Sequence, residues 1–450
     1  MSCDLNIIAK RLVDGFVQSG EHEGAAAAYV AQRPDGSFPD IDYSNDSMSS
    51  WEPSKHLPRL REMAVAYKRI CGGNGGDGGG ANGADMLAAV IKGLEFWFAR
   101  KPVSLNWWHN QIGKQLQLGP IALMLKDDLP GILIDACADA LLDPAKVGPT
   151  FTTGQNLVWF ATESIYRGLI KEDEGDVADG VSYILREITI GQREGIQTDY
   201  SFHQHGPQLY NGGYGLGFVR DTAHFAHMLR GTAYAFPSEK LDMIVGLLLE
   251  GDRWMVYSHW MDYCVQGREI ARVGCDKKAI SLIPVCDMLE QLEPSRAAEI
   301  LGLKSMISGK SRSCVIGNRY FHHSDYMSHR DAGFASSVRM ASSRLFGTES
   351  MNRENRKGCW LPFGVHFTLV RGDEYDGIVP LFNWTQLPGV TAPQMLYEMP
   401  VFVNTDVEFV GGVSDGTFGA AAMQLDKLDV RAKKSVVFLW RRNSVPGSGH

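Results

Sequence analysis

The sequence predicts a segregated α+β chain, in which a helical domain over residues 1–308 precedes an antiparallel β domain over residues 309–450. Two observations support this prediction. Up to about residue 305, apolar residues recur at spacings of three and four, the period of a helix with one buried face. From about Ser313, apolar residues come in short runs between Gly and Asp, which is typical of antiparallel strands. We therefore expect the domain boundary within residues 309–313.

The helical spacing is clearest where Leu87, Val90, Ile91, Leu94 and Phe98 fall on one face. Short loops rich in Gly, Pro and Asp separate such stretches, as in stacked antiparallel helical hairpins. The predicted helices lie, in chain order, near residues 5–18, 57–70, 87–98, 116–126, 131–142, 157–170, 176–188, 218–232, 238–250, 281–291 and 295–303.

The predicted strands follow the boundary and are rich in aromatic and β-branched residues. Each run is bounded by Gly, Asp or Asn, so the connections are expected to be tight turns between antiparallel neighbours. The runs lie in residues 314–323, 334–343, 364–372, 379–384, 401–412 and 435–440.

Charge and hydropathy exclude several classes of protein. The 450 residues include 44 Lys and Arg against 52 Asp and Glu, a formal net charge of -8. This balance argues against a surface that grips nucleic acid or acidic lipid over its whole extent, although a local basic site is compatible with it. The longest apolar run, near residues 243–249, is too short to span a bilayer, and the N-terminus lacks the pattern of a signal peptide. We therefore expect no nucleic-acid partner and no membrane partner.

Three short motifs are rejected on context. Glycines at 73, 75 and 78 match G-x-G-x-x-G, but a helix rather than a strand is predicted before them, so a flexible loop is preferred. Residues 309–311, Gly-Lys-Ser, end like a phosphate loop, but Lys304 occupies the position of the first glycine. The eight cysteines form no CxxC pair and have no zinc-finger spacing, so no metal site is predicted from them.

Two adjacent tryptophans, Trp107 and Trp108, are flanked by amide and imidazole groups. Paired tryptophans are often core residues. Neighbouring residues on a helix point about 100° apart, however, so both cannot face the same core. At least one is a candidate platform on which a ligand such as a sugar ring can stack.

Residues 199–215 gather two His, two Tyr and several amides in a Gly- and Pro-rich loop between predicted helices. A lone His is more often structural, but such a cluster in a loop favours an active site. A second candidate is the pair Arg268 and Arg272, which share one face if they lie on a helix. The pair is either a salt-bridged surface feature or a binding site for a carboxylate or sulfate group.

At these residues the sequence closely resembles the chondroitin AC and hyaluronate lyases of polysaccharide lyase family 8. The resemblance runs across most of the chain and keeps the family's order of motifs. The matching blocks are DGSFPDIDY at 35–43, NWW at 106–108, TGQN at 153–156, DYSFHQHGPQL with GGYG at 199–215, GREIAR at 267–272 and TESMNREN at 348–355.

The resemblance implies a fold, a site and a reaction. The implied fold is an incomplete α/α toroid followed by β-sandwich domains, with an acidic polysaccharide bound in a cleft of the helical domain. The implied catalytic residues are Asn156, His205, Tyr214, Arg268 and Glu349. The implied substrate-binding residues are Trp107, Trp108, Arg272, Asn352 and, as a weaker candidate, Trp384.

The implied reaction is β-elimination at a uronate glycoside, which removes the proton at C5 and expels the oxygen at C4. Asn156 and His205 are expected to stabilise the negative charge that develops on the uronate carboxylate. Tyr214 is the preferred base and then acid, and this role requires a lowered pKa that Arg268 would favour. The alternative is that His205 acts as base and Tyr214 only as acid. Glu349 is expected to orient Arg268 or His205.

The expected substrates are chondroitin sulfate, hyaluronan or other uronate polymers, with glucuronate favoured over iduronate. No cofactor is required by this mechanism. A structural calcium ion at residues 35–46 is possible, although an exposed loop is preferred. A monomer is expected, and the resemblance implies an extracellular or periplasmic location despite the missing signal peptide.

Two alternatives to the lyase stay open at this stage. A glycoside hydrolase on a similar toroid would need a second carboxylate beside Glu349. A non-catalytic glycan-binding remnant is favoured by length, since family enzymes usually carry more β structure. The β-sandwich is therefore expected to be incomplete, with a truncation or a change of reading frame near Val436.

Overall fold

The computed structural model describes residues 3–72, 82–148, 152–191, 193–395 and 397–439. The glycine run at 73, 75 and 78 and the end of the chain from residue 440 lie outside the described residues. In the part of the chain that is described, no helix is long and apolar enough to cross a membrane.

The described residues contain twelve α-helices, eleven where helical periodicity predicts them and one in addition. The additional helix is α2, whose seven residues are too few to show a three-four repeat. The helices are α1 (Cys3–Ser19), α2 (Ala25–Ala31), α3 (His56–Cys71), α4 (Gly83–Arg100), α5 (Gln115–Met124), α6 (Gly131–Ala140), α7 (Gly154–Lys171), α8 (Glu174–Glu187), α9 (Leu216–Leu229), α10 (Ser238–Gly246), α11 (Ile283–Leu292) and α12 (Ala297–Ile307).

The first compact unit comprises Met1–Glu187 and Met228–Phe236. Its most buried element is α7, which packs closely on α8. The close approach depends on Gly180, because a Cβ there would lie 2.7 Å from the carbonyl oxygen of Ala161. Helix α4 is capped at its start by Asn82, whose side chain accepts a hydrogen bond from the Asp85 backbone N–H at 2.9 Å.

The second compact unit comprises Ile188–His227 and Pro237–His450. Three strands, the last of them within residues 199–215, form a small sheet, and two more form a hairpin. The strands are β1 (Ile190–Gly191), β2 (Gly195–Gln197), β3 (Phe202–His203), β4 (Val256–Tyr257), β5 (Trp260–Met261), β6 (Gly317–Phe321), β7 (Tyr326–Arg330), β8 (Ala335–Arg339), β9 (Val365–Leu369), β10 (Val410–Ser414), β11 (Gly419–Lys427) and β12 (Val430–Phe438).

Two antiparallel sheets form the C-terminal part of the second unit, with strand orders β6-β7-β8-β9 and β10-β11-β12. Their apolar faces share one core, to which β7 contributes Met327, β11 contributes Met423, and the intervening segment contributes Trp360 and Phe363. Face-to-face packing of this kind is the arrangement of a sandwich. Helices followed by antiparallel sheets confirm the predicted fold class.

The strand predictions beyond residue 313 need three corrections, and the short strands β1 to β5 before it were not predicted. Residues 379–384 are not a strand, because Pro380 cannot donate a ladder hydrogen bond and residues 379–381 form a short helical turn. In residues 401–412 only the end belongs to a strand, β10. Strands β7 and β11 were not predicted: all five residues of β7 are buried, which removes the alternation, and β11 begins with small residues.

The compact units divide the chain differently from the two predicted domains. The second unit contains α9 to α12 as well as both sheets, because it is defined by dense contacts rather than by the type of secondary structure. The boundary within residues 309–313 lies in the connection between α12 and β6 and stays a prediction.

Candidate active site

Residues 199–215 belong to the second unit, contain β3 and the helical turn Asn211–Gly215, and lead directly into α9. His205 has a φ of 59° and Gly206 a φ of 85°, so two successive residues adopt the left-handed conformation. The backbone N–H of Gly206 donates to Glu194 at 2.7 Å, and the ring of Phe346 packs where a Cβ on Gly206 would lie. A left-handed residue other than Gly is uncommon and is often found at functional sites.

Glu349 connects this loop to the C-terminal part of the unit. Its carboxylate is fully buried; Oε2 lies 2.8 Å from His205 Nδ1, and Oε1 accepts from the Tyr210 hydroxyl at 2.9 Å. Burial opposes its ionisation, but the hydrogen bonds and charges of His205 and Arg268 outweigh burial and lower the pKa of Glu349 below its ordinary value. Glu349 is therefore a buried carboxylate held in its charged form.

Arg268 lies at the centre of the cluster and is itself buried. Its guanidinium donates to Glu349 through Nη1, to Glu354 through Nε at 2.9 Å, and to the Tyr214 hydroxyl through Nη2 at 3.1 Å. Nη1 also lies 3.3 Å from His205 Nδ1. Because the contact from Nδ1 to Glu349 is shorter, we assign Nδ1–H as the donor to Glu349, which leaves Nε2 of His205 to meet a ligand.

Tyr214 packs edge-on against the His205 ring, with 4.8 Å between the ring centroids. Burial raises the pKa of Tyr214 above 10, and the charge of Arg268 offsets only part of that effect. Arg268 favours the phenolate as expected, but burial outweighs it, so the ligand-free chain does not show the lowered pKa of Tyr214 that a role as base requires. The phenol is therefore protonated near neutral pH in the ligand-free chain.

Tyr210 and Glu354 belong to the cluster but were not singled out from the sequence. Tyr210 is completely buried; besides donating to Glu349, its hydroxyl accepts from the backbone N–H of Arg268 at 3.1 Å. Glu354 accepts from Arg268 and also from Arg272, through Nε at 2.9 Å and Nη2 at 3.0 Å. Both residues lie within the ranges of the motif blocks, 199–215 and 348–355, so their positions could have marked them as candidates for the site.

Two glycines allow Tyr210 to reach this position. Gly267 has a φ of 55°, and a Cβ there would lie 2.2 Å from the Tyr210 ring. A Cβ on Gly213 would lie 2.3 Å from the same ring. The glycines of the GREIAR and GGYG motifs therefore have a packing role beside the cluster.

His203 is not part of the cluster. Its Nε2 lies 2.8 Å from the Ser324 hydroxyl, and that hydroxyl donates to Ser201 at 2.7 Å. Burial lowers the pKa of His203 to about 3, so it is a neutral structural residue. Of the two histidines in the loop, only His205 joins the predicted site residues Tyr214, Arg268 and Glu349.

Asn156 and the paired tryptophans belong to the first unit. Asn156 lies in the first turn of α7, and its buried Oδ1 accepts no hydrogen bond from any described residue. Trp159 lies one turn beyond Asn156 on α7. Trp108 packs edge-on against it, with 5.6 Å between the ring centroids. Trp107 and Trp108 are both half-buried. A face of α7 and the tryptophan pair therefore meet within this unit.

The remaining predicted residues lie in irregular segments of the second unit. Asn352 has a φ of 57° in the turn Met351–Arg353, next to Glu354. Arg272 is bonded to Glu354 and also contacts Glu269 at 3.0 Å, and its side chain is still half-exposed. Trp384 is half-buried and lines a cavity of about 390 Å³ with Trp360, Phe382 and Tyr397. Among the described residues, the Trp384 ring packs edge-on against Phe382, 5.6 Å away, and not against the cluster around Arg268.

The acidic loop at 35–46 has its carboxylates engaged by protein groups. Asp35 accepts from Ser37, Asp42 accepts from Ser44, and Asp40 accepts both arms of Arg59 at 2.7 and 2.6 Å. Across the described ranges, no group of three or more His, Cys, Asp or Glu side chains is gathered as a metal site would require. A calcium ion at this loop stays a prediction.

Comparison with known proteins shows which family shares this sequence. Residues 18–307 match the model of the polysaccharide lyase family 8 N-terminal alpha-helical domain, and residues 316–447 match that of the family's super-sandwich domain. The chain is 30% identical over 425 residues to a chondroitinase-AC of Pedobacter heparinus, covering 93% of this chain and 60% of that protein. It is 26% identical to a hyaluronate lyase of Thermasporomyces composti, covering 86% of this chain and 55% of that protein.

Solved structures of related proteins have the same fold as this chain. A chondroitinase AC lyase studied in oligosaccharide complexes superposes with a TM-score of 0.87 at 27% identity, covering 97% of this chain and 65% of that one. A chondroitin AC lyase of Streptomyces coelicolor superposes with a TM-score of 0.82 at 20% identity, covering 97% and 68%, and supports the fold alone. The chain spans less than two thirds of the two relatives compared by sequence.

The two family models together cover most of the sequence, in the family's order and with the helical part first. The chain therefore belongs to polysaccharide lyase family 8.

Proposed function

We propose that this chain is the catalytic part of a polysaccharide lyase that cleaves uronate-containing glycosaminoglycans by β-elimination. The observation that carries the proposal is the buried cluster of Tyr214, Arg268, Glu349 and His205, in which a protonated phenol and an imidazole lie side by side. An elimination needs two proton transfers, one from C5 and one to the leaving oxygen. The cluster offers one group for each transfer.

The main obstacle is the weak acidity of the C5 proton while the neighbouring carboxylate is negative. Hydrogen-bond donors aimed at that carboxylate would stabilise the charge that develops in the transition state, and one such donor contributes about 3 to 4 kcal/mol in other enzymes. We assign this role to the amide of Asn156. The support is its match to the family's TGxN block, because an asparagine side chain carries two N–H donors that could reach such a carboxylate.

Two assignments of the base follow from the cluster. In the first, Tyr214 passes its own proton to solvent when substrate binds, removes the C5 proton as a phenolate and then gives that proton to the leaving oxygen. In the second, His205 removes the C5 proton through Nε2, and Tyr214 only protonates the leaving oxygen. The raised pKa of Tyr214 favours the second assignment, because a neutral phenol is an acid ready to donate.

A hydrolytic mechanism fits the cluster less well. A hydrolase needs one carboxylic acid and one carboxylate that are free to act on either side of the bond. Glu349 and Glu354 are two carboxylates in the cluster, but both are bonded to Arg268, and the lowered pKa of Glu349 makes it a poor acid. A second carboxylate is therefore present beside Glu349, but neither group is free to act as the acid or the base of a hydrolase.

The deciding experiment is incubation with chondroitin sulfate and with hyaluronan while ultraviolet absorbance is followed. A lyase forms a C4=C5 double bond and the absorbance rises, whereas a hydrolase releases reducing ends without that rise. The names of the relatives, chondroitinase-AC and hyaluronate lyase, support both substrates. New reducing ends without absorbance would overturn the proposal. Binding without any cleavage would indicate a glycan-binding protein instead.

A further inference from the structure

A second cationic site lies in the second unit and shares no residue with the cluster around Arg268. It is a cavity of about 320 Å³, open to solvent. Three separate segments meet there: the end of β4, the connection that follows α12, and the residues after β9. The lining residues are Tyr257, Ser258, Gly309, Lys310, Ser311, Arg312, Val370 and Arg371.

The charges that line this cavity are all positive. Lys310, Arg312 and Arg371 face it, and none of the described lining residues is acidic. Arg371 is bonded through Nε to Asp373 at 2.9 Å, whereas Lys310 and Arg312 form no ion pair with a described residue. Like charges in one cavity repel each other, and a bound anion would offset that repulsion.

The end of a helix does not account for all three cations. The backbone N–H of Lys310 donates to the carbonyl of Ser305 at 2.9 Å, so a lysine here can complement the C-terminus of α12. Arg371 follows a different element, β9, and Arg312 lies beyond the residues whose backbone N–H groups bond to the end of α12. The convergence of two elements on one cavity therefore requires a separate explanation.

The walls of the cavity are held in place by backbone contacts. The Tyr257 hydroxyl donates to the carbonyl of Val370 at 3.3 Å. The carboxylate of Glu374 accepts the backbone N–H groups of Val370, Arg371 and Gly372 at 3.0, 2.7 and 2.8 Å. Arg371 therefore extends from a fixed turn, which lowers the entropic cost of binding a ligand there.

The Gly-Lys-Ser run at 309–311 lines this cavity, but it is not a nucleotide loop. In a phosphate loop the lysine opens a helix whose N-terminus faces the phosphates. Here the run follows a helix, and the next regular element is a strand, β6. Side-chain cations, rather than a helix N-terminus, are what the cavity offers to an anion.

We propose that this cavity binds a sulfate group of an acidic polysaccharide at a position outside the catalytic cluster. Forked guanidinium groups match the geometry of sulfate oxygens, and the lysine adds a mobile point charge. The identity of the polymer rests on the proposed function. A chain held at two separate places would remain bound after a cut at one of them, so the cavity would favour long sulfated substrates over short ones.

The test compares two double variants with the same change of charge. Lys310→Gln with Arg312→Gln removes two cations from the cavity, and Lys92→Gln with Lys433→Gln removes two exposed lysines elsewhere. Both are made in a Tyr214→Phe background so that polymer is not consumed. Binding of chondroitin sulfate and of hyaluronan of equal length is measured by calorimetry at low salt, with thermal melting as a check on folding.

We expect Kd for chondroitin sulfate to rise roughly fivefold in the cavity variant and to stay unchanged in the control variant. Kd for hyaluronan, which carries no sulfate, should change less than twofold in both. Equal weakening in both variants, or none in either, would overturn the site, and equal weakening toward both polymers would overturn its preference for sulfate. Because binding is measured without turnover, a missing lyase activity would overturn the proposed function and leave this result standing.

Discussion

Glu354 determines how much positive charge the cluster offers to an incoming anion. It holds Arg268 through one oxygen and Arg272 through both. Glu269 contacts Arg272 and Lys278, and Glu349 contacts Arg268, so each cationic side chain already has a carboxylate partner. An acidic substrate must therefore compete with Glu354 before it can use the exposed guanidinium of Arg272.

We expect Glu354→Gln to lower KM for chondroitin sulfate roughly fivefold, because a neutral amide competes less well for Arg272. The value of kcat should fall less than tenfold, since Arg268 keeps its bond to Glu349. Steady-state kinetics of the absorbance change measure both quantities. Glu398→Gln, at an exposed position, makes the same change of net charge and should leave KM unaltered. A higher KM in Glu354→Gln would mean that Glu354 positions Arg272 for substrate rather than competing with it.

Tyr214→Phe distinguishes the two assignments of the base. If His205 removes the C5 proton, the variant should form no unsaturated product but should still exchange that proton for deuterium in heavy water. If Tyr214 is the base, exchange should be lost together with product. Nuclear magnetic resonance of a recovered oligosaccharide measures the exchange, and His205→Gln provides the reciprocal case. Turnover within tenfold of normal in Tyr214→Phe would remove Tyr214 from the chemistry.

At the scale of the element, one buried carboxyl fixes the turn that carries Tyr214. Asn211 starts the helical turn Asn211–Gly215 and donates to Asp252 Oδ1 at 2.8 Å, while its own Oδ1 accepts from the backbone N–H of Phe202 at 2.7 Å. Burial raises the pKa of Asp252 to about 7. The strand β3, the turn and residue 252 are thus tied together through a side chain that prefers to be neutral.

Asp252→Asn should remove a pH dependence of stability. An acid whose pKa is raised by folding binds its proton more tightly in the folded state, so its contribution to stability falls as pH rises from about 4 to about 7. The shift from 3.8 to about 7 corresponds to about 4 kcal/mol. Urea unfolding at about pH 5 and about pH 7.5 should show about 2.5 kcal/mol of this loss in the unmodified chain, since the rest occurs below pH 5, and a smaller loss in Asp252→Asn. An identical pH dependence in both proteins, or the same change in the exposed control Asp406→Asn, would refute the assignment.

Most helices were predictable because they bury one face, whereas some strands were not. In α4 the buried residues repeat at helical spacing, and the prediction for residues 87–98 falls within it. Strand β7 buries His329 and Arg330 along with its apolar residues, so no alternation marks it. Residues 379–384 show the converse error, since aromatic and β-branched residues there line a cavity or form a turn instead of pairing.

The site was predictable as a set of residues but not as a set of contacts. Motif order brought forward His205, Tyr214, Arg268 and Glu349, which do meet. The hydrogen bond from Tyr210 to Glu349 joins residues 139 positions apart, and no local sequence pattern predicts it. The effect of Arg268 on the pKa of Tyr214 was predicted with the right sign, but the sequence did not show the burial that outweighs it.

At the scale of the whole molecule, a chain with a net charge of -8 is proposed to bind a polyanion. The described cations that would contact it are gathered locally, around Arg268 and Arg272 and around Lys310, Arg312 and Arg371. Long-range repulsion from the chain and short-range attraction by these groups respond to salt differently. The Debye length is about 30 Å at 0.01 M salt and about 10 Å at 0.1 M, so added salt screens the distant charges first.

We therefore expect kcat/KM for chondroitin sulfate to pass through a maximum as salt is raised. Between about 0.01 and 0.1 M, screening of the overall negative field should increase association several-fold; toward 1 M, where the Debye length is about 3 Å, the local ion pairs should weaken and the rate should fall again. Hyaluronan carries fewer charges per disaccharide and should give a shallower curve with its maximum at lower salt. Initial rates of the absorbance change at constant pH measure both curves. A steady fall from the lowest salt would mean that the local cations dominate at every distance, and that net charge has no bearing on how this chain meets its substrate.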